Sequence, residues 1–301
     1  MRTVPEHLKG RDFTRAAAWS RDELLTALDL ADSLKRLQRE RREHRFLPGR
    51  ALALIFQKPS LRTRASFEVG MAQLGGFTVH LAGAEIGLGA RETTRDIARV
   101  LSGYVDAIMI RTFAQSDVDE LADHATVPVI NGLTDGEHPC QALADFMTIR
   151  ERLGRLEGVR IAYIGDGNNV CVSLAHMAEL LGASFVAATP GGFEPPPGTP
   201  GEAVRDPGEA AAGADVLYTD VWTSMGQEEE QARRLEAFRG YTIDAALVAH
   251  AAADAIVLHC LPAHYGEEIA EDVAYGLQSA IWDEAENRLH AQKALLALVV
   301  P

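Results

Sequence analysis

Cysteine is scarce in this 301-residue chain: Cys140, Cys171 and Cys260 are the only three, and no two stand at the CxxC spacing of a metal module. A disulfide framework is thereby excluded, and a reducing compartment fits. No apolar run approaches the roughly 18 to 20 residues that cross a bilayer. The first residues, Met1 to Glu6, contain no secretory h-region, so the expectation is a cytoplasmic protein with no membrane partner. Positive charge is also lacking. Lys plus Arg number 29 against 43 Asp plus Glu, a formal net charge of −14, which argues against nucleic acid or an anionic membrane surface as partner. Lysine is limited to Lys9, Lys35, Lys58 and Lys293, a bias from which no mechanism follows.

What is present is 47% apolar and 24% charged sequence, the composition of an ordinary globular protein, long enough for two domains with substantial cores. An acidic body with a few clustered arginines suggests a small anionic substrate drawn into a local positive pocket. The stretch that organises the chain is Ser60-Leu61-Arg62-Thr63-Arg64. Before it, Ala51 to Phe56 reads as a buried parallel strand. After it, Phe67, Met71 and Leu74 recur at the spacing of one helix face over Thr63 to Leu74, and Gly75-Gly76 ends the helix. The order is strand, tight turn, helix start, with a hydroxyl at the cap position and two guanidiniums in the first turn. Arginines there oppose the helix dipole. An anion resolves the conflict, because backbone N–H groups, dipole and forked donors can converge on one phosphate. The plainer alternative is a basic surface turn.

In chain order, residues 12 to 44 read as one or two amphipathic helices beginning near Ser20 and closing on the charge run Arg39 to Arg45, a solvated face. Phe77 to Ala82 follows as a strand, Gly83 to Gly89 as a glycine-rich loop, Glu92 to Ser102 as a helix, and Ala107 to Arg111 and Val127 to Asn131 as buried strands. Arg111 ends its strand, where α/β sheets bind ligands, or is a surface terminator. Pro139 opens a helix with core face Ala142, Phe146, Ile149 and Leu153, ended by Gly154. His138 and Gln141 share a face at its start, and His138 is a cap, a core partner or a catalytic group.

A second α/β series starts with Val159 to Ile164, then Gly165-Asp166-Gly167-Asn168-Asn169 and a helix from Val170 to Leu181. A dinucleotide fingerprint is incomplete here. The third glycine is missing, and no acidic residue closes the next strand, Phe185 to Thr189, so this reads as a doubly wound domain without nicotinamide. Thr189 to Gly201 is expected to be a surface excursion. Ala214 to Thr219 ends at Asp220-Val221-Trp222-Thr223-Ser224-Met225-Gly226, and Ala255 to Leu258 ends in His259-Cys260-Leu261-Pro262-Ala263-His264. Pro262 and the lack of a second ligand cluster make zinc at that segment improbable. A closing helix is expected from Glu284 to Val299, with Arg288 near its start.

Together these motifs resemble the aspartate/ornithine carbamoyltransferase family over nearly the whole chain, from Ser60 to Arg288. Ser60-x-Arg62-Thr63-Arg64 is similar to the family's carbamoyl-phosphate turn and His138-Pro139-x-Gln141 to its second shared motif. Asp220-x-x-x-Ser224-Met225-Gly226 and His259-Cys260-Leu261-Pro262 are similar to those of the ornithine branch. The resemblance implies an α/β fold of two doubly wound parallel-sheet domains joined by interdomain helices, with the active site in the cleft between them. Residues 1–134, with a C-terminal helix 284–301 packing back, would bind carbamoyl phosphate, 135–154 would form the interdomain helix, and 155–283 would bind ornithine. It implies transfer of a carbamoyl group to the ornithine side-chain amine, giving citrulline and phosphate in arginine biosynthesis, in a homotrimer or assembly of trimers, with no metal and no organic cofactor.

By the same resemblance Ser60, Leu61, Arg62, Thr63, Arg64 and Arg111 would hold the phosphate, and His138, Arg111 and Thr63 would reach the carbonyl oxygen. Gln141, the Leu261 carbonyl and Arg288 would engage the carbamoyl end. Asn169, Asp220, Ser224 and Met225 would grip ornithine, with Cys260 beside the reacting amine, as a chemical participant or as packing. Arg111, His138, Cys260 and Asp220 are the catalytic candidates. Several relatives supply a Gln or His from a neighbouring subunit near Ile86-Gly87-Leu88, whereas this chain has Gly87 there.

Overall fold

Ser20 begins the first long helix. Its hydroxyl accepts the Glu23 N–H while the Glu23 carboxylate accepts the Ser20 N–H, a capping box that opens α1 (Arg21–Arg39). The structure, a computed structural model, describes residues 5–87, 91–223 and 228–301. The chain divides into two compact units, Met1–Met147 with Glu286–Pro301, and Thr148–Ala285.

In the first unit α1 is followed by β1 (Ala51–Phe56), α2 (Leu61–Gln73), β2 (Phe77–Ala82), α3 (Gly83–Ile86), α4 (Thr94–Ser102), β3 (Ala107–Arg111), α5 (Gln115–His124), β4 (Val129–Leu133) and the opening turns of α6 (Pro139–Leu153). The four strands are parallel in the order β2-β1-β3-β4. Chain order reverses between β1 and β3, so the carboxyl ends of these neighbours form a switch point, where the Ser60 turn and Arg111 emerge side by side. β1 and β3 are apolar because helices cover both faces. Leu52, Ala53, Leu54, Ile55, Ile108, Met109 and Ile110 are fully buried, at roughly 1.5 to 3 kcal/mol for each large aliphatic side chain. Gly70 in α2 admits the closing helix: a side chain there would press on Cγ of Lys293 at 3.1 Å.

The second unit contains β5 (Arg160–Ile164), α7 (Asn169–Leu181), β6 (Ser184–Ala188), β7 (Glu202–Val204), α8 (Pro207–Ala211), β8 (Val216–Thr219), α9 (Gln231–Ala237), α10 (Ala245–Val248), β9 (Ile256–His259), α11 (Glu271–Ala274) and the first residues of α12 (Ile281–Val299). Its parallel strands run β7-β6-β5-β8-β9. Here the reversal lies between β5 and β8, which places the Gly165–Asn168 turn beside Asp220.

Several elements differ from expectation. Gly83 to Gly89 is not all loop, since α3 fills Gly83–Ile86 and Gly87 ends it in the left-handed region at φ 59°. β4 runs Val129–Leu133, two residues beyond the expected strand, and α12 starts at Ile281 rather than Glu284. Thr189 to Gly201 is only partly a surface excursion: Phe193 turns inward, 4.9 Å from the Phe238 ring. The Gly167 N–H donates to the Phe193 carbonyl at 2.9 Å.

Candidate active site

In the first unit Ser60 occupies the N-cap of α2 in an extended conformation, and its Oγ accepts the Thr63 N–H at 3.2 Å. That bond orients the first turn so that Thr63 is buried, Arg62 half-buried and Leu61 79% exposed at the helix start. Thr63 Oγ1 accepts from Arg288 Nη2 at 3.1 Å, and Arg288 Nη1 donates to Gln141 Oε1 at 2.5 Å. Gln141 Nε2 donates to Asp145 Oδ1 at 2.7 Å. Arg288, Gln141, Thr63 and Asp145 are all at least 98% buried, so a guanidinium, an amide, a hydroxyl and a carboxylate form a dry polar chain that ends on α2.

His138 and Arg111 are also buried. Desolvation pushes the His138 pKa well below its ordinary value, and the charges of Arg288, Arg111 and Arg62 push it further. The ring is therefore neutral at pH 7, able to donate one hydrogen bond without being a strong acid. Arg62, Arg111, His138, Gln141 and Arg288 thus belong to one electrostatic neighbourhood. Arg64 stands apart, half-exposed, with its Nε donating to Glu68 Oε1 at 2.9 Å.

Lys58 was not singled out by the sequence. It is 5% exposed on the turn into α2, paired with Asp135, its ammonium 4.3 Å from the Phe113 ring centroid. Its place beside Pro59 was the available signal.

In the second unit Asp220 follows β8 and is buried. Its Oδ2 accepts from Asn168 Nδ2 at 2.8 Å, and its Oδ1 accepts from the Val221 N–H at 2.8 Å and the Cys260 thiol at 3.0 Å. Asn168 is itself the cap of α7, its Oδ1 accepting the Val170 and Cys171 N–H groups, so the start of α7 and the end of β8 are tied through one amide. Asn169, the sequence candidate, is the first residue of α7 and half-buried. Asp166 pairs with Arg234 at 2.7 Å. Burial raises the Asp166 pKa, and the Arg234 charge counters that rise. Leu261 takes a left-handed conformation, φ 56°, just after Cys260. Ser224 and Met225 lie outside the described residues.

Burial pushes the Cys140 thiol up to about 12 and Cys171 well above its ordinary value, which leaves both inert and Cys260 as the half-buried thiol. Asp220, His259 and Cys260 bring their donor atoms within 4.8 Å of one another. Both His259 ring nitrogens are engaged within the protein, however, so the donor set does not suit a metal ion.

Profiles of the aspartate/ornithine carbamoyltransferase family match both units: the carbamoyl-P binding domain over residues 11–151 and the Asp/Orn binding domain over residues 157–299. The chain is 51% identical to the ornithine carbamoyltransferase of Pyrococcus horikoshii, an alignment covering 97% of this chain and 96% of the relative. It is 50% identical to the anabolic ornithine carbamoyltransferase of Pyrococcus furiosus over 97% of each. Among solved structures, the ornithine carbamoyltransferase of P. furiosus superposes with TM-score 0.94 over 97% of this chain and 98% of that one. The Thermus thermophilus enzyme, 44% identical, gives 0.89 over 99% and 100%.

Proposed function

Because the chain belongs to the aspartate/ornithine carbamoyltransferase family, we propose that it transfers the carbamoyl group of carbamoyl phosphate to the side-chain amine of L-ornithine, yielding L-citrulline and phosphate for arginine biosynthesis. The observation that carries this reading is the buried chain from Arg288 to Thr63 and Gln141, with neutral His138 under the field of Arg62, Arg111 and Arg288.

In the transfer the amine attacks the carbamoyl carbon, negative charge grows on the carbonyl oxygen, and the C–O bond to phosphate breaks. Donors already in place at both oxygens lower that barrier without reorganising. Arg62, with the Leu61 N–H at the start of α2 and the Ser60 and Thr63 hydroxyls, suits the phosphate. Arg111 and His138 suit the carbonyl oxygen, and Gln141 and Arg288 the carbamoyl end. Arg64 joins the phosphate by releasing Glu68, a surface pair worth about 0.3 to 0.5 kcal/mol. Carbamoyl phosphate arrives activated, so no covalent enzyme intermediate is required.

The acceptor residues are Asp220 and Asn169, with Ser224 and Met225. Asp220 suits the α-ammonium and Asn169 the α-carboxylate, and Cys260, donating to Asp220, orients the amine. An alkylammonium with pKa near 10.4 leaves only about one amine in 10³ free at pH 7, so kcat/KM is expected to climb between pH 6 and 8.5.

A citrulline assay with ornithine, putrescine and N-acetylornithine as competing acceptors tests the reading. Ornithine turns over at least about 10²-fold better if Asp220 and Asn169 read the α-carbon groups, and turnover of putrescine alone overturns it. A homotrimer or assembly of trimers is part of the same reading, supported by apolar side chains left in water on the first unit. Phe77 and Val79 are 54% and 39% exposed on β2, an edge strand, and Tyr104 is 76% exposed. Light scattering on the eluting protein decides it. No helix among the described residues is long and apolar enough to cross a membrane, and a cytoplasmic location fits the three free thiols.

A further inference from the structure

In the first unit α1 and α2 end in the same way. In α1 the Arg41 N–H donates to the Gln38 carbonyl and the Arg42 N–H to the Leu37 carbonyl. In α2 the Gly75 N–H donates to the Ala72 carbonyl and the Gly76 N–H to the Met71 carbonyl. Each is a Schellman cap, whose first residue past the C-cap takes the left-handed conformation that favours glycine. α2 has Gly75 there, at φ 92°, whereas α1 has Arg41, at φ 54°. Backbone N–H groups already serve these carbonyls, so the caps themselves do not call for arginine.

The two helix ends border a cavity of about 500 Å³, lined in part by Arg41, Arg42, His44, Arg45 and Gln73. Donors outnumber acceptors in it. Arg41 has no ion-pair partner among the described residues. Arg42 pairs with Glu40 at 3.2 Å in an exposed contact, and Arg45 Nε stands 3.8 Å from Glu43. Gly75 lets the Arg45 side chain cross its main chain, with Nε 2.9 Å from where a Cβ would stand. Behind Gln73 and His44, Lys293 is fully buried. Its ammonium donates to Gln38 Oε1 at 2.7 Å, Gln73 Oε1 at 2.8 Å and His44 Nε2 at 3.2 Å. His44 accepts there because its other ring nitrogen, Nδ1, donates to the Arg42 carbonyl at 2.9 Å. None of the three acceptors carries a negative charge, so the buried cation is solvated by the protein without being neutralised. With its oxygen on the ammonium, Gln73 keeps its NH₂ group as a further donor.

The cavity is remote from the Ser60 turn. That turn opens α2, a helix of 13 residues, and the cavity lies at the other end, about 18 Å away at 1.5 Å per residue. Gly76, on its lining, precedes the amino end of β2, whereas the phosphate residues emerge at the carboxyl ends of β1 and β3.

We propose that this cavity binds a compact polyanion, a metabolite carrying two or more phosphate or carboxylate groups, at a site separate from that of carbamoyl phosphate. The forked guanidiniums of Arg41, Arg42 and Arg45 fit the paired oxygens of such groups, and the Gln73 amide adds a donor. Lys293 supplies charge from a buried position, where solvent and salt screen it little. A chain of net charge −14 repels polyanions at large, so the attraction is local to this cavity.

The test uses the full chain, with inorganic pyrophosphate and citrate as probes and potassium chloride at matched ionic strength as control. Carbamoyl phosphate is kept saturating, so that the Ser60 turn is filled. Calorimetry on wild type shows one binding event per chain with Kd below about 1 mM for at least one probe. Binding of pyrophosphate alone assigns the site to phosphates, of citrate alone to carboxylates, and of both to either group. Arg41→Gly, which suits the left-handed cap, combined with Arg45→Gln weakens that binding at least about tenfold, the loss of one charge-assisted contact. Without a probe, kcat and KM of the double variant stay within about twofold of wild type. Labelling lysine Nζ with ¹⁵N gives signals from Lys9, Lys35, Lys58 and Lys293 alone. The Lys293 signal moves with the probe, and that of Lys58, on the turn into α2, does not. No heat beyond that of chloride, a double variant that binds as tightly as wild type, or a Lys58 signal that moves while Lys293 stays overturns the proposal. If the double variant does not fold, the two lysine signals of wild type decide. Citrulline formation is measured apart, so a chain that makes none overturns the functional reading and leaves the binding result standing.

Discussion

Arg288 and Thr63 are 225 positions apart in sequence, yet the Nη2 of one donates to the Oγ1 of the other at 3.1 Å, with both side chains buried. The same guanidinium reaches Gln141 through its other terminal nitrogen. Both contacts use its planar fork, which a lysine cannot reproduce.

Arg288→Lys is therefore expected to lower kcat/KM for carbamoyl phosphate by about 10²-fold, near 3 kcal/mol, because the charge remains but at least one buried acceptor loses its donor. Steady-state citrulline formation at saturating ornithine measures it, and a loss under about threefold contradicts the role given to Arg288.

His138→Ala is expected to reduce kcat by about 10² to 10³, the usual loss on removing one oxyanion donor. It also carries a stability signature. The folded pKa lies well below the unfolded value near 6.5, so as pH falls through about 6.5 the unfolded chain takes up a proton that the folded one refuses. Stability is then lost at up to about 1.4 kcal/mol per pH unit on this account. Urea unfolding at pH 7 and 5.5 should show the variant losing less stability than wild type over that interval.

Asp220→Asn turns one carboxylate oxygen into a donor facing Asn168 Nδ2, or facing the Cys260 thiol and Val221 N–H. Together with loss of the charge for the α-ammonium, this should raise the ornithine KM at least about 10²-fold. Binding of carbamoyl phosphate, followed by calorimetry without ornithine, should change less than about twofold, since Asp220 is remote in role from the phosphate residues.

Lys293 is fully buried with Gln38, Gln73 and His44 as its partners, and burial lowers its pKa to about 8. Between that value and the unfolded value near 10.4 the unfolded chain holds the extra proton, so this group makes stability rise with pH across that window. Compared with Lys293→Met, the wild type should gain stability between pH 8 and 9.5, measured by urea unfolding at each pH. Parallel curves for the two proteins would show that the ammonium titrates normally.

Much of the scaffold was legible because the strongest signals were local. Ala51–Phe56 is apolar throughout, Ser60 has the hydroxyl a cap requires, and Pro139 and Gly154 bracket α6. α5 left little trace, because Val118 and Leu121 are its only buried residues, too few to set a period. The three residues of β7 are largely exposed and carry no run of apolar side chains. In the site, residues within motifs were readable, whereas Asp145, Asn168 and Lys58 were not. Each earns its place by a partner brought near through folding, which spacing along the chain does not encode. Arg64 shows the reverse: motif position marked it, and its side chain pairs with Glu68 on the exposed flank of α2.

The turn after β5 has the shape that nucleotide-using sheets keep open, but here Gly167 lies directly beneath the main chain of Glu194 and Pro195, with 2.5 Å between the Glu194 carbonyl carbon and where a Cβ would stand. The polypeptide is its own stopper: the doorway through which a pyrophosphate would approach is bricked up by Phe193–Pro195. A chain built on the same scaffold would have to shed or re-route that segment before this sheet edge accepted a dinucleotide.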